Sequence, residues 1–202
     1  MDYCVAGMQP HRKSKVFSLK KEKLDTGYQD IHRDLVERSL HGDEGAMSRL
    51  YTLYNKAMFN SCLRITNNRD DAEDVLQEAF VSAFGNLKSY RGESSFGAWL
   101  KRIVVNKAIN HVNKRRLDLI EFEPGEHEIL YTENDSEKNY KVDKIKKAMN
   151  QLPAGYRIVF SLYLLEGYDH KEIGEILNIS TSTSKSQFNR AKKKVRELME
   201  EV

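Results

Sequence analysis

Apolar residues recur along most of this chain at steps of three and four, the spacing that lines one face of a helix. After Asp43, a capping residue, the series is Ala46, Leu50, Leu53, Tyr54, Ala57, Met58 and Ile65. A second helix begins near Asp70, with Ala72, Val75, Leu76, Ala79, Phe80, Ala83 and Phe84 on its inner face. Asp70 and Glu73 stand three apart at its start and predict a capping box. The pattern stops over residues 117–140 and resumes over 142–202. In that last block Ile173, Ile176 and Leu177 form the inner face of a short helix, Asn178 permits a tight turn, and Ile179 plugs the corner. The Ser/Thr run 180–184 offers caps for a following helix whose inner positions are Phe188, Ala191, Val195 and Leu198. Two short helices joined in this way predict a helix-turn-helix. The fold class expected is all-α, with two helical domains at 29–116 and 141–202.

Composition agrees with a mostly helical chain: of 202 residues 31% are charged and 40% hydrophobic, with few Gly and Pro. No apolar run reaches membrane-spanning length, so no membrane insertion is expected. The first residues carry Arg12, Lys13, Lys15, Lys20 and Lys21 with no apolar stretch behind them, which predicts a cytoplasmic protein that is not exported. Cys4 and Cys62 read as free thiols, and the six His are scattered without ligand spacing, so neither a metal nor another cofactor is expected.

The formal net charge of +3 conceals an uneven layout. Residues 1–28 form a basic, weakly patterned extension that predicts a flexible segment. Residues 117–140 hold Asp118, Glu121, Glu123, Glu126, Glu128, Glu133, Asp135 and Glu137 against Lys138 alone, an acidic linker between the two domains. The helix after Asp70 also gathers acids. Capping and the helix dipole account for those of its first turn. Asp74, Gln77 and Glu78 lie beyond it, on an exposed strip running on from Asp71. A solvated face would explain this strip, and spacing alone somewhat favours it; a docking surface for a basic partner would explain it too.

Two basic segments follow. Over 89–116, Trp99, Arg102, Asn106, Asn110 and Asn113 fall three or four apart, giving one helix side an aromatic ring, a cation and amides. Amides and aromatics suit unstacked bases, and Lys101, Lys107, Lys114, Arg115 and Arg116 can neutralise phosphates. The preceding loop, with Gly92, Ser94, Ser95 and Gly97, can shape a small pocket. Trp99 is equally well explained as core. In the helix-turn-helix the outward positions are Lys185, Ser186, Asn189, Lys192, Lys193 and Arg196, and no acid interrupts 180–196. Cations for phosphates beside small hydrogen-bonding groups fit a major groove better than they fit a plain helical hairpin.

The stretches DAEDVLQEAF (71–80), FGAWLKRIVVNKAIN (96–110) and YDHKEIGEILNISTSTSKSQFNRAK (168–192) resemble, in order and spacing, the conserved blocks of bacterial RNA polymerase sigma factors. The acidic linker and two-domain plan resemble the extracytoplasmic-function (ECF) subgroup, which keeps sigma regions 2 and 4. The resemblance covers roughly 29–200. It implies a sigma region 2 bundle at 29–116 and a sigma region 4 helix-turn-helix at 141–202. It implies core-polymerase contacts at Asp71, Asp74, Gln77 and Glu78, on the β′ clamp helices, with the β subunit also engaged. It implies −10 promoter contacts at Ser94, Ser95, Phe96, Trp99, Arg102, Asn106, Asn110, Lys114 and Arg115, with a flipped base taken into the loop. It implies −35 contacts at Ser182, Thr183, Lys185, Ser186, Asn189, Arg190 and Lys193. An anti-sigma factor is the further partner implied.

Departures from the family pattern are Asn113 where a basic residue is common, Gly174 for Ala, Ser184 for Val and Gln187 for Arg. Ser184 is less apolar than a half-buried place wants, which predicts a looser start to its helix. No nucleophile elbow, phosphate loop or paired catalytic carboxylates occur, so a non-catalytic initiation factor is expected. The competing class is a stand-alone helix-turn-helix regulator, which binds an operator without polymerase and has no use for the Asp74, Gln77 and Glu78 strip.

Overall fold

The computed structural model describes residues 31–118 and 137–200, which hold eight helices and no strand. They are α1 (Arg33–Leu40), α2 (Glu44–Thr66), α3 (Arg69–Gly85), α4 (Phe96–Asp118), α5 (Glu137–Asn150), α6 (Ala154–Leu164), α7 (His170–Leu177) and α8 (Thr181–Glu200), with a 3-10 turn at Leu87–Ser89. The basic extension expected at 1–28 lies outside the described residues, as does most of the acidic linker. Helix persists to Asp118 and restarts at Glu137, so the interruption in described helix spans 119–136.

Local chemistry starts and stops these helices. Asp43 accepts the Ala46 N–H at 3.0 Å and opens α2. Asn67 then takes a left-handed φ of 58° and donates its N–H to the Leu63 carbonyl, which ends α2. That reversal puts Asn68 in an extended conformation with its side chain accepting from the Asp71 N–H at 3.0 Å, so Asn68 is the cap of α3. The capping box expected from Asp70 and Glu73 does not form. The helix begins earlier, Asp70 lies inside it, and Glu73 pairs with Arg69 at 3.0 Å.

Helices α2, α3 and α4 pack on one another around Leu50, Cys62, Ile65, Val75, Ala79, Leu100, Val104 and Val105. Truncating any one of the larger side chains to Ala costs about 2–5 kcal/mol. Every inner position expected of α3 is buried except Phe84, which is half-buried. In α2, Leu53 and Ala57 face outward instead, because the buried face of that helix is already filled by Leu50, Met58, Cys62 and Ile65. Burial raises the Cys62 thiol to about 12, which leaves it protonated and unreactive at neutral pH.

In the second half α6, α7 and α8 pack together. Asp169 caps α7 with both halves of a capping box, its partner being Glu172. Asn178 takes a left-handed φ of 53°, and the Ile179 N–H returns to the Gly174 carbonyl at 3.0 Å. A Cβ at position 174 would lie 2.8 Å from the Ile179 carbonyl oxygen, so this corner needs its glycine. Ser180 accepts the Thr183 N–H at 3.0 Å and caps α8.

Ser184 is fully buried, and its hydroxyl pairs with His170 Nδ1 at 2.9 Å. His170 in turn stacks on Tyr163, with ring centroids 4.4 Å apart. The hydroxyl therefore has a partner that ties the two helices of the motif together, and no loosening of α8 results. Ser184→Ala is expected to lower stability by about 1–2 kcal/mol, because His170 loses its partner in a half-buried setting. Thermal unfolding should show this loss largely absorbed when His170 is removed as well.

Candidate promoter and polymerase interfaces

The acidic strip splits in two. Asp74, Gln77 and Glu78 are exposed on α3, and among the described residues the cation near Glu78 is Lys107, at 3.7 Å. Asp71 is different. Its carboxylate is mostly buried, ion-paired with Arg115 and 3.3 Å from His111 Nε2, both on α4. Asp71 and Arg115, expected on opposite interfaces, thus pin α3 to α4.

On α4 the polar face is open: Arg102, Asn106, Asn110, Asn113 and Lys114 are exposed along it. Ser95 accepts the Ala98 N–H at 3.2 Å and so caps the helix. Tyr90 donates its hydroxyl to the Ser94 carbonyl at 2.7 Å and shapes the loop from behind. Phe96 is fully buried, with Tyr54, Tyr90 and Trp99 around it at centroid distances of 5.4, 5.9 and 5.6 Å. Its ring supports the loop and presents no surface to a base. Trp99 is half-buried and packs against Phe96 and Tyr90, with ring centroids 5.6 and 5.4 Å away. A Cβ at Gly97 would meet the Tyr54 ring at 2.7 Å, which explains the glycine at this close approach.

The face of α8 is the plainest of the three. Ser182, Thr183, Lys185, Ser186, Asn189, Arg190 and Lys193 are all exposed. The hydroxyls of Ser182 and Thr183 each lie 2.8 Å from Ser180 Oγ at the positive end of the helix dipole, a setting suited to phosphate. Lys192 is drawn over the Phe188 ring, 5.1 Å from its centroid.

Two family models match the chain, "Sigma-70 region 2" over residues 50–117 and "Sigma-70, region 4" over residues 143–195. The ECF RNA polymerase sigma-E factor of Escherichia coli (strain K12) is 31% identical over 173 residues, which is 80% of this chain and 90% of that protein. The chain is an ECF sigma factor of the sigma-70 family. RNA polymerase sigma-H factor of Pseudomonas aeruginosa is 29% identical across 83% of this chain and 93% of its own length. The ECF sigma factor SigW of Bacillus subtilis is 28% identical across 83% and 96%. Sigma factor RpoE, solved in complex with the anti-sigma factor NepR from Bartonella quintana, shares the fold at a TM-score of 0.59 and 23% identity, covering 76% of this chain and 96% of that one. The region 2 match runs from Leu50 within α2 through α4, and the region 4 match runs from within α5 into α8. As a sigma factor the chain needs more than a helix-turn-helix, and a stand-alone operator-binding regulator is not favoured.

No spacing or motif marks Glu166, on the turn after α6. Its side chain is 2% exposed and faces region 2, where it accepts from Ser61 Oγ at 2.9 Å, ion-pairs with Arg64, and lies 3.2 Å from Lys101 Nζ. Burial would raise its pKa, but Arg64, Ser61 and Lys101 outweigh burial and hold the carboxyl below its ordinary range. The contact it supplies is therefore complete at neutral pH and fades as pH falls through that lowered value. Beside it opens a cleft of about 970 Å³ between the two regions.

Proposed function

We propose that this sigma factor joins core RNA polymerase through Asp74, Gln77 and Glu78, reads and helps open the −10 element with the Trp99 to Lys114 face of α4, and reads the −35 element with α8. The observation that carries this is the segregation by sign: the acidic strip of α3 is exposed, and the exposed face of α8 is free of acids over 180–196. Basic clamp helices of the polymerase would take the first, and DNA phosphates the second. Ser94, Arg102, Asn106 and Asn110 supply donors for an unstacked strand, and Trp99 supplies a stacking surface. The phosphodiester chemistry belongs to the polymerase, so the protein acts where that enzyme acts, in the cytoplasm, without catalysis of its own. Free affinity for DNA is weak because each module is small, and tethering both to one polymerase raises their effective concentration. Sigma factors of this fold are solved with anti-sigma partners, and one is proposed here too.

The test is reconstitution: purified protein, core polymerase and a promoter pool should yield a holoenzyme and defined transcript starts. DNA retarded by the protein alone, with no effect on polymerase, would defeat the proposal. Lys185→Ala with Lys193→Ala should weaken promoter binding evenly across sequences and flatten the salt dependence by about 1–2 in log–log slope. Asn189→Ala should relax base preference at one −35 position, by about 1–3 kcal/mol.

A further inference from the structure

Three basic residues of α4, Lys107, His111 and Arg115, stand four apart and so form one row along the helix. Arg115 ion-pairs with Asp71, His111 Nε2 lies 3.3 Å from the same carboxylate, and Lys107 Nζ lies 3.7 Å from Glu78. Asp71 and Glu78 are about 10 Å apart along α3, and Arg115 and Lys107 about 12 Å apart along α4, so the two rows run antiparallel in register. The Asp71–Arg115 pair, with its carboxylate mostly buried, fixes that register and thereby sets Lys107 beside the acidic strip. On its other side the helical period makes Lys107 a neighbour of Asn110 and Lys114, which belong to the exposed polar face of α4. Lys107 thus borders both surfaces. Its side chain is 38% exposed and that of Glu78 66%, so water reaches the pair and either member can exchange its partner.

Resting on the docking and −10 readings above, we propose that Lys107 is a cation shared by the two interfaces: in the free chain it screens Glu78, and in the holoenzyme it passes to a phosphate of the −10 strand as polymerase cations take over the carboxylate. The two partners then assist one another. A basic polymerase helix at Glu78 releases Lys107 for DNA, and a phosphate on Lys107 leaves Glu78 with its full negative charge for the polymerase. Through this exchange each partner tightens the other by the same factor, as linkage requires. An exposed ion pair of this kind limits that factor to about two- to fivefold.

Lys107→Met keeps the aliphatic stem and removes the charge, and Lys107→Gln takes its place if the first variant fails to melt as wild type does. Fluorescence titration of labelled core polymerase should show the variant sigma factor docking about two- to fivefold more tightly, because Glu78 is no longer screened. The holoenzyme it forms should bind a single-stranded −10 oligonucleotide more weakly, with the salt dependence flattened by about 0.7 in log–log slope, the value for one phosphate contact on a single strand. Lys107→Arg should keep both affinities near wild type. The opposite signs are the signature, since a residue that only supports the fold would weaken both affinities or neither. Core affinity unchanged or weakened in a folded variant overturns the screening of Glu78, and an unchanged salt slope overturns the transfer to phosphate. The docking reading beneath is judged separately by Asp74→Lys with Glu78→Lys. Assembly at wild-type strength in that variant removes the docking face itself, whereas lost assembly there, beside wild-type behaviour of Lys107→Met, removes the shared cation alone.

Discussion

Asp74→Lys with Glu78→Lys is expected to abolish assembly with core polymerase while leaving the fold intact. Both side chains are exposed and make no contact that holds the helix, apart from the solvated approach of Glu78 to Lys107 at 3.7 Å. Surface substitutions of this kind shift stability by about 0.5 kcal/mol or less. At an interface the balance differs. Close charge pairs couple by about 1.5–7 kcal/mol, and reversal adds repulsion where there was attraction. A loss of at least 3 kcal/mol, or roughly a hundredfold or more in affinity, is expected. Fluorescence titration of labelled core polymerase measures it, with circular dichroism to check the helix content. Assembly at wild-type strength would remove the docking face from consideration. Asp71→Lys makes an informative contrast, because Asp71 is paired with Arg115 and its loss should first appear as destabilisation of the α3–α4 contact.

Phe96→Ala and Trp99→Ala are expected to separate support from contact. Phe96 is fully buried at the centre of Tyr54, Tyr90 and Trp99, so its truncation leaves a cavity and should cost about 3–5 kcal/mol. For a domain of this size each kcal/mol lowers the melting temperature by about 4–8 °C, so region 2 should melt more than 10 °C earlier. Trp99 is half-buried and should cost less in stability, yet remove a stacking surface worth about 1–3 kcal/mol per base. Permanganate footprinting of the −10 region in holoenzyme should therefore show weakened melting for Trp99→Ala at a temperature where the variant is still folded. Equal stability losses in the two variants, with no change in promoter melting for Trp99→Ala, would return Trp99 to a purely structural role.

Most of the helices and their inner faces can be read from the chain, because helical period, caps and breakers act between residues close in sequence. The inner face of α3, the Asp43 cap, the left-handed Asn178 and the inward Phe188, Ala191 and Val195 are of this kind. The expected capping box of α3 failed for a related reason: Asn67 reversed the chain and handed the cap to Asn68, a competition between neighbours that the Asp70–Glu73 spacing does not display. Leu53 fits the helical period as well as Leu50 does, and turned outward because the space it would fill was already taken.

What the sequence determined by itself is the set of helices, the sign of charge on each surface, and membership of the sigma family. Only the tertiary structure decided which charges remain available. Asp71 and Asp74 are both acids on one helix, and they differ because α4 brings Arg115 and His111 to the first and nothing to the second. Glu166 looks like an ordinary acid after an apolar run until α2 and α4 supply Ser61, Arg64 and Lys101 from about a hundred residues away or less. The physical reason is range: caps and periodicity act within a few residues, whereas a carboxylate's burial and pairing depend on whichever distant helix packs over it.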